Sequence, residues 1–300
     1  MRFVAYRPRK QSNPKNNSMG VVIGDAMAAL SSIDEFYADI DKWVALARTV
    51  TSGTVPVSEL ILAPPVPVDA KVICAAINYA KHGAEASLPA PAFPNLFARW
   101  ASELVVDGTA IPVPAAEPEG LDWEVELAAI VGKKVTDADE ATAQASVFGY
   151  TVANDISGRA SQGRAMTLST GQWALAKNVE KSGAVGSYIE SADTVDVSNL
   201  RLQTVVDGNI MQSGSTADMI FSVGDLISYS SRHVTLRPGD LILTGTPEGV
   251  GFGRKPRIYM KPGATVTVSV EGICRITNPI VDSSHRGWRQ HYEENSQCLT

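Results

Sequence analysis

The segment from Leu121 to Lys133, LDWEVELAAIVGK, constrains the fold more than any other. Side chains along a strand alternate between faces, so Asp122, Glu124 and Glu126 point one way while Trp123, Val125 and Leu127 point the other. Such alternation is the common pattern of a strand with one solvated acidic face. The continuation AAIVG is apolar on both faces, however, so the carboxylates stand where the strand enters the core. Close carboxylates there repel one another unless they are protonated or share a cation.

A third acid belongs to the same argument. GYTVANDISGRASQ is a strand that runs into Asn154 and Asp155 and then into polar residues. Two Glu and one Asp, with no His or Cys close in sequence, make a hard oxygen site suited to Mg²⁺ first, with Mn²⁺ or Ca²⁺ as alternatives to it, and not to zinc. A base is found in INYAKHGAE, where His82 and Glu85 are three apart and share a face within a single helical turn. A carboxylate fixes the tautomer of such a His and stabilises its imidazolium, although the same spacing also describes a surface ion pair. Gly83 and the Pro-rich stretch to Pro94 have the composition of a lid. Lys177 follows an apolar run, and Arg99 and Arg159 are further cations; each also reads as a side chain that snorkels to solvent. Thr246 lies in LILTGTPEGVG, a strand ending in a Gly-rich turn that lacks the Gly-Lys-Ser/Thr of a Walker phosphate loop. His233, His285 and His291 have no comparable context.

The surrounding chain is punctuated by turns. Asp107-Gly108 and Asp207-Gly208 each follow a Val-Val pair, which is hairpin chemistry. KVICAAI, GYTVA, RLQTVV, DLILTG and TVTVSV read as strands. Helices are expected from about Ala138 to Val147, and from Ser222 with its Asp225 capping partner to about Ser231. The first 65 residues read as a small α/β domain, with short strands and one helix opened by Ser32 and Glu35 and ended by Gly53. APPVPV then marks a boundary, leaving residues 66–300 as the main domain. The fold class is α+β, β-rich, rather than alternating βαβ units.

Composition closes off other classes. A net charge of −6 with no basic block argues against nucleic acid or an anionic membrane as partner. No apolar run approaches the ~20 residues of a membrane span, and MRFVAYRPRK lacks the apolar region of a signal peptide. The three scattered cysteines, Cys74, Cys274 and Cys298, suit a reducing cytoplasm better than a disulfide framework.

Taken in order, INYAKHGAE, LFAR, LDWEVELAAIVGK, GYTVANDISGRASQ, GQWALAK, QSGSTADMIFSV, GDLILTGTPEGVG and EGICRITNPIV resemble the fumarylacetoacetate hydrolase family, from about Lys71 to Val281. Each match is weak alone, and the ordered set is specific. The resemblance implies a mixed β-sandwich roll, usually a homodimer, with a small variable N-terminal domain. It implies Glu124, Glu126 and Asp155 as metal ligands, His82 with Glu85 as the dyad that activates water, and Lys177 as the cation that stabilises an oxyanion. Arg159 and Gln162 would assist, and Thr246 and Arg99 would contact substrate. Arg99 stands where many bacterial members carry Lys, and Asn178-Val179-Glu180 replaces a frequent Ser-Phe-Asp, so the pocket wall departs from the pattern. The expected reaction is hydrolytic C–C cleavage of a small 2,4-dioxo acid. The alternatives are a lyase of the same family, either an oxaloacetate-type decarboxylase or a 2-oxo acid hydratase or isomerase, and a non-catalytic binding protein on this fold.

Overall fold

The computed structural model describes residues 1–8, 17–85, 89–166 and 172–283. The strand Val125–Val131 is buried at every position, as a sequence apolar on both faces requires. Val147–Asp155 pairs with it in antiparallel register, Glu126 opposite Ala153, and Leu241–Leu243 flanks its other edge. Lys71–Ala76, parallel to Leu241–Leu243, and then Asn95–Trp100 extend that side. The opposite side continues through Tyr188–Ser191 into Arg2–Arg7, Ser18–Ile23 and Ala26–Ser32. A second mixed sheet runs in the order Asn209–Ser215, Arg201–Val206, Thr265–Val270, Cys274–Asp282 and Ile111–Val113. The fold is the β-rich α+β class with few helices. Among the described residues, no helix is long and apolar enough to cross a membrane.

Two cores meet on the central strand. Val125, Leu127, Ala129 and Val131 pack with Leu202, Val268 and Ile276 of the second sheet and with Leu226 and Ile227 of the helix Val223–Ser231. Ala128 and Ile130 face the other way, into a core shared with Phe3, Phe36 and Tyr37. Burying both faces is worth about 25 cal/mol per Å² of apolar surface, which fixes the strand's depth and hence the depth of its carboxylates. The first 65 residues thus add their strands to the large sheet and their aromatic residues to one of its two cores.

Local signals were resolved unequally. Ser32 and Ser222 both cap helices, with reciprocal Glu35 and Asp225 bonds. The single expected helix after Ser32 is two, Ile33–Ala38 and Ile40–Thr49, because Asp39 leaves helical geometry and its side chain accepts the Lys42 N–H, capping a new helix. The helix expected from Ala138 is shorter, Glu140–Gln144, and is capped by Asp139. Asp207-Gly208 joins two paired strands with positive φ at both residues, as hairpin chemistry demands. Asp107-Gly108 does not form a hairpin: Asp107 Oδ1 accepts the Thr277 N–H at 2.6 Å, and the Gly108 N–H donates to Thr277 O at 2.8 Å. That turn docks on the second sheet instead of joining neighbours.

Candidate active site and cation centre

Glu124, Glu126 and Asp155 converge where the two central strands end, each offering an oxygen within 4.8 Å of the others, all buried. Glu124 precedes the strand, and its N–H donates to Asn154 Oδ1 at 2.9 Å, which locks the approach of the two acidic segments. Charges are unequally matched. Lys177 Nζ bridges Glu124 Oε2 at 2.8 Å and Asp155 Oδ2 at 2.5 Å. Arg159 donates to Glu124 Oε1 at 2.5 Å and to Asp122 Oδ2 at 2.8 Å. Glu126 accepts only the Gly245 N–H, at 2.7 Å, and has no cationic ion-pair partner among the described residues.

The titration behaviour follows from this inequality. Burial pushes the Glu126 carboxyl far up, and the nearby charges of Asp155 and Glu124 push it further. Burial also acts on Glu124, but the Lys177 ammonium and the Arg159 guanidinium outweigh it and hold that carboxyl well below the usual range. Burial disfavours the Lys177 cation, yet Asp155 and Glu124 keep its pKa above the ordinary lysine value. One buried carboxylate therefore lacks a counterion within a set of three hard oxygen donors, and a divalent cation of the Mg²⁺, Mn²⁺ or Ca²⁺ type fits that set.

A cavity of about 270 Å³ opens onto this centre, lined by His82, Glu124, Gln162, Lys177, Thr246 and Arg159, with Phe97, Trp173 and Phe252 as its aromatic wall. Phe97 and Trp173 stack with centroids 4.9 Å apart, and Lys177 Nζ lies 5.1 Å from the Phe97 ring. Lys177 is delivered by the short helix Trp173–Ala176, which Asn178 ties to the sheet edge by accepting the Trp100 N–H at 2.7 Å. Arg159 and Gln162 occupy one helix, Arg159–Met166, and are hydrogen-bonded to each other at 2.9 Å.

The dyad residues are brought together by the helix Ala80–Glu85, with His82 Nδ1 3.7 Å from Glu85 Oε2. That exceeds a hydrogen bond. Both Glu85 oxygens accept the Gly249 N–H, at 2.9 and 3.0 Å, and His82 Nδ1 is buried with no hydrogen-bond partner among the described residues. The stretch expected as a lid includes residues 86–88, which lie outside the described residues, as do His285, His291 and Cys298.

One assignment changes. Arg99, expected at the substrate, does not line the cavity; it lies behind Asp155, bonded to that carboxylate, to Ser182 Oγ at 3.1 Å and to Ile156 O at 2.5 Å. Its guanidinium offsets the desolvation of a carboxylate that is itself fully buried. Two further residues build the site: Asp122, which the alternation groups with Glu124 and Glu126, and Gln212, which spacing does not single out. Asp122 shares the alternation of Glu124 and Glu126 but turns to the Gly-rich turn, accepting the Gly251 and Phe252 N–H groups at 2.6 and 3.0 Å. Gln212 donates to Thr246 Oγ1 at 2.8 Å, which leaves the Thr246 hydroxyl proton available to the cavity.

Residues 71–281 match the model of the C-terminal domain of fumarylacetoacetate (FAA) hydrolase. A mitochondrial oxaloacetate tautomerase of Homo sapiens is 37% identical over 292 residues, 94% of this chain and 92% of that protein. The structure of a 5-carboxymethyl-2-hydroxymuconate delta-isomerase from Mycobacterium smegmatis superposes with a TM-score of 0.74 at 28% identity, over 95% of this chain and 100% of that one. Fumarylpyruvate hydrolase from Pseudomonas aeruginosa, solved with Mn²⁺ and pyruvate, superposes with a TM-score of 0.66 at 28% identity, over 73% of this chain and 91% of that one. By its matched domain, its fold and its relatives, the chain is a member of the fumarylacetoacetate hydrolase family.

Proposed function

We propose that this protein is a divalent-cation-dependent enzyme that interconverts the keto and enol forms of a small 2-oxo acid activated at C3 by a second carbonyl group, of the oxaloacetate class. The observation that carries the reading is His82, an imidazole whose buried Nδ1 has no hydrogen-bond partner among the described residues, on the same cavity as Glu124 of the buried three-carboxylate centre. A cation held by Glu124, Glu126 and Asp155 would polarise the 2-oxo acid oxygens and acidify the C3–H. His82 takes that proton from C3 and delivers it to the enolate oxygen, with the reverse transfer regenerating the keto form, and Glu85 at 3.7 Å stabilises the imidazolium formed between the two events. Thr246 and Gln162 orient the polar end of the substrate, while Phe97 and Trp173 keep water from the carbanion-like carbon. The identity with oxaloacetate tautomerase, over nearly the whole chain, supports the same assignment.

Hydrolytic C–C cleavage of an acylpyruvate is the second reading, favoured by the fumarylpyruvate hydrolase similarity. There His82 deprotonates a water that attacks the distal carbonyl, Lys177 with Arg159 or Gln162 stabilises the oxyanion, and the C–C bond breaks to an enolate. Proton transfer agrees better with the geometry. Lys177 and Arg159, the cations the hydrolytic reading needs for the oxyanion, are both engaged with carboxylates.

The test follows oxaloacetate enol decay and, in parallel, acetate and pyruvate release from acetylpyruvate, using Mn²⁺-loaded protein with an EDTA control. EDTA-sensitive acceleration of enol decay, without pyruvate release, is expected. EDTA-sensitive acetate plus pyruvate, with enol decay unchanged, selects the hydrolase; no turnover of either substrate refutes both readings. His82→Ala should slow the active reaction by about 10²–10⁴-fold while Mn²⁺ still binds.

A further inference from the structure

Thr244 and Gly245 share a peptide group that stands between the carboxylate centre and the segment leading to His82. In a trans peptide the C=O and the N–H lie in one plane and point in opposite directions. Here the Gly245 N–H donates to Glu126 Oε2 at 2.7 Å, while the Thr244 carbonyl accepts from Asn78 Nδ2 at 2.8 Å. Whatever holds that carbonyl therefore aims that N–H. Glu124 and Asp155 are held by lysine and arginine side chains, whereas Glu126 has no cationic partner among the described residues. The direction of the Glu126 carboxylate thus depends on this one peptide.

Asn78 is placed to hold it. The residue is buried, its Nδ2 also donates to Phe221 O at 2.9 Å, and its Oδ1 accepts the Phe221 N–H at 2.8 Å. A backbone carbonyl only accepts and a backbone N–H only donates, so the amide has one orientation. Its own main-chain carbonyl accepts the Ile220 N–H at 2.8 Å, which fastens the same segment a second time. The approach to the peptide is close: Gly245 stands at φ +91°, and a Cβ there would lie 2.8 Å from Asn78 Cβ. The chain accepts local strain to reach this arrangement. Ile77, on the cavity wall, has a φ of 57°, a left-handed conformation that β-branched residues avoid. The strand Lys71–Ala76 ends at that residue, and the helix Ala80–Glu85 with His82 follows it. Such strain persists only where the surroundings over-determine it, and the side-chain bonds of Asn78 supply that hold.

We propose that Asn78 is a positioning residue for the cation centre: it locks the Thr244–Gly245 peptide so that the Gly245 N–H sets the Glu126 carboxylate for a divalent cation. The assignment rests on the reading of Glu124, Glu126 and Asp155 as a cation centre. Asn78 acts at one remove, since its side chain bonds main-chain groups and none of the three carboxylates. Partners at that distance from a metal govern its affinity by about 10–100-fold.

Isothermal titration with Mn²⁺, run beside urea unfolding of the cation-free protein, tests this without relying on turnover. Asn78→Ser is too short to reach the Thr244 carbonyl and should weaken Mn²⁺ binding about tenfold or more. Asn278→Ser is the matched control: its Nδ2 likewise donates to two main-chain carbonyls, of Val106 at 2.9 Å and Thr109 at 3.0 Å, but it lies in the second sheet. Both variants should lower the urea midpoint, and only Asn78→Ser should lose Mn²⁺ affinity. Gly245→Ala reaches the same peptide while keeping the Asn78 amide, and it should weaken Mn²⁺ in the same way. Wild-type Mn²⁺ affinity in Asn78→Ser or in Gly245→Ala, or an equal loss in Asn278→Ser, would each overturn the assignment. Failure of the wild-type protein to bind Mn²⁺ would instead overturn the reading of the carboxylate centre, and this one with it.

Discussion

Gln212 offers the sharpest test of how the site is held. Its side chain is buried, and its amide makes four hydrogen bonds: Oε1 accepts from the Val125 N–H at 3.1 Å and the Thr204 hydroxyl at 2.7 Å, while Nε2 donates to Thr246 Oγ1 and Pro247 O, both at 2.8 Å. The amide's orientation is forced, since a backbone N–H only donates and a backbone carbonyl only accepts. In Gln212→Leu the two hydroxyls can turn elsewhere, but the Val125 N–H and the Pro247 carbonyl cannot. Each orphaned buried group costs about 1–3 kcal/mol, so we expect a loss of about 4 kcal/mol in stability. Urea unfolding should show a lower midpoint at an unchanged slope. Thr204→Val removes one donor and orphans no backbone group, so it should cost only about 1 kcal/mol. If the two variants cost the same, the reasoning from orphaned backbone groups is wrong. The Leu variant should also raise KM more than it lowers kcat, because Thr246 loses the donor that fixes its hydroxyl.

Other outcomes follow from the same geometry. Glu124→Ala should abolish Mn²⁺ binding in titration calorimetry and, by removing one of the two carboxylates that each of Lys177 and Arg159 contacts, destabilise the cation-free protein by about 1–3 kcal/mol. Glu126→Gln should also abolish binding but stabilise the cation-free protein, because it removes a carboxyl whose ionisation is disfavoured first by burial and then by Asp155 and Glu124; a destabilised Gln variant would contradict that charge balance. Burial raises the thiol pKa values of Cys74 and Cys274, so the folded state keeps them protonated. Their contribution is fully present below the unfolded thiol value of about 8.5 and is lost as pH rises above it. Unfolding curves measured from pH 7 to 10 should therefore show a declining alkaline limb, which Cys74→Ala makes shallower. Gly251→Ala should disrupt the turn that carries Phe252, where an added Cβ meets Ile258 O at 1.8 Å, and lower the melting temperature.

How much of this was legible in the chain depends on the range over which each signal acts. The cap at Ser222, the hairpin at Asp207-Gly208 and the alternation of Glu124 and Glu126 are set within a few residues, and the structure forms them where spacing puts them. Asp39 and Asp107 show the limit even at short range, since the same side chain can continue, cap or redirect a segment according to which N–H groups lie near it. The roles of Arg99 and Asp122 are decided by partners that are distant in sequence: Asp155 for the first, Gly251 and Phe252 for the second. Neither residue type nor local spacing tells a cation that lines a cavity from one that neutralises a buried carboxylate, because both demands are met by the same guanidinium. What separates them is desolvation. A fully buried Asp155 requires a counter-charge at its back so that its other oxygen can face the centre, and Arg99, behind the sheet end, supplies it. Sequence order thus grouped the three carboxylates, while the division of the cations between backing them and lining the cavity emerged only from packing.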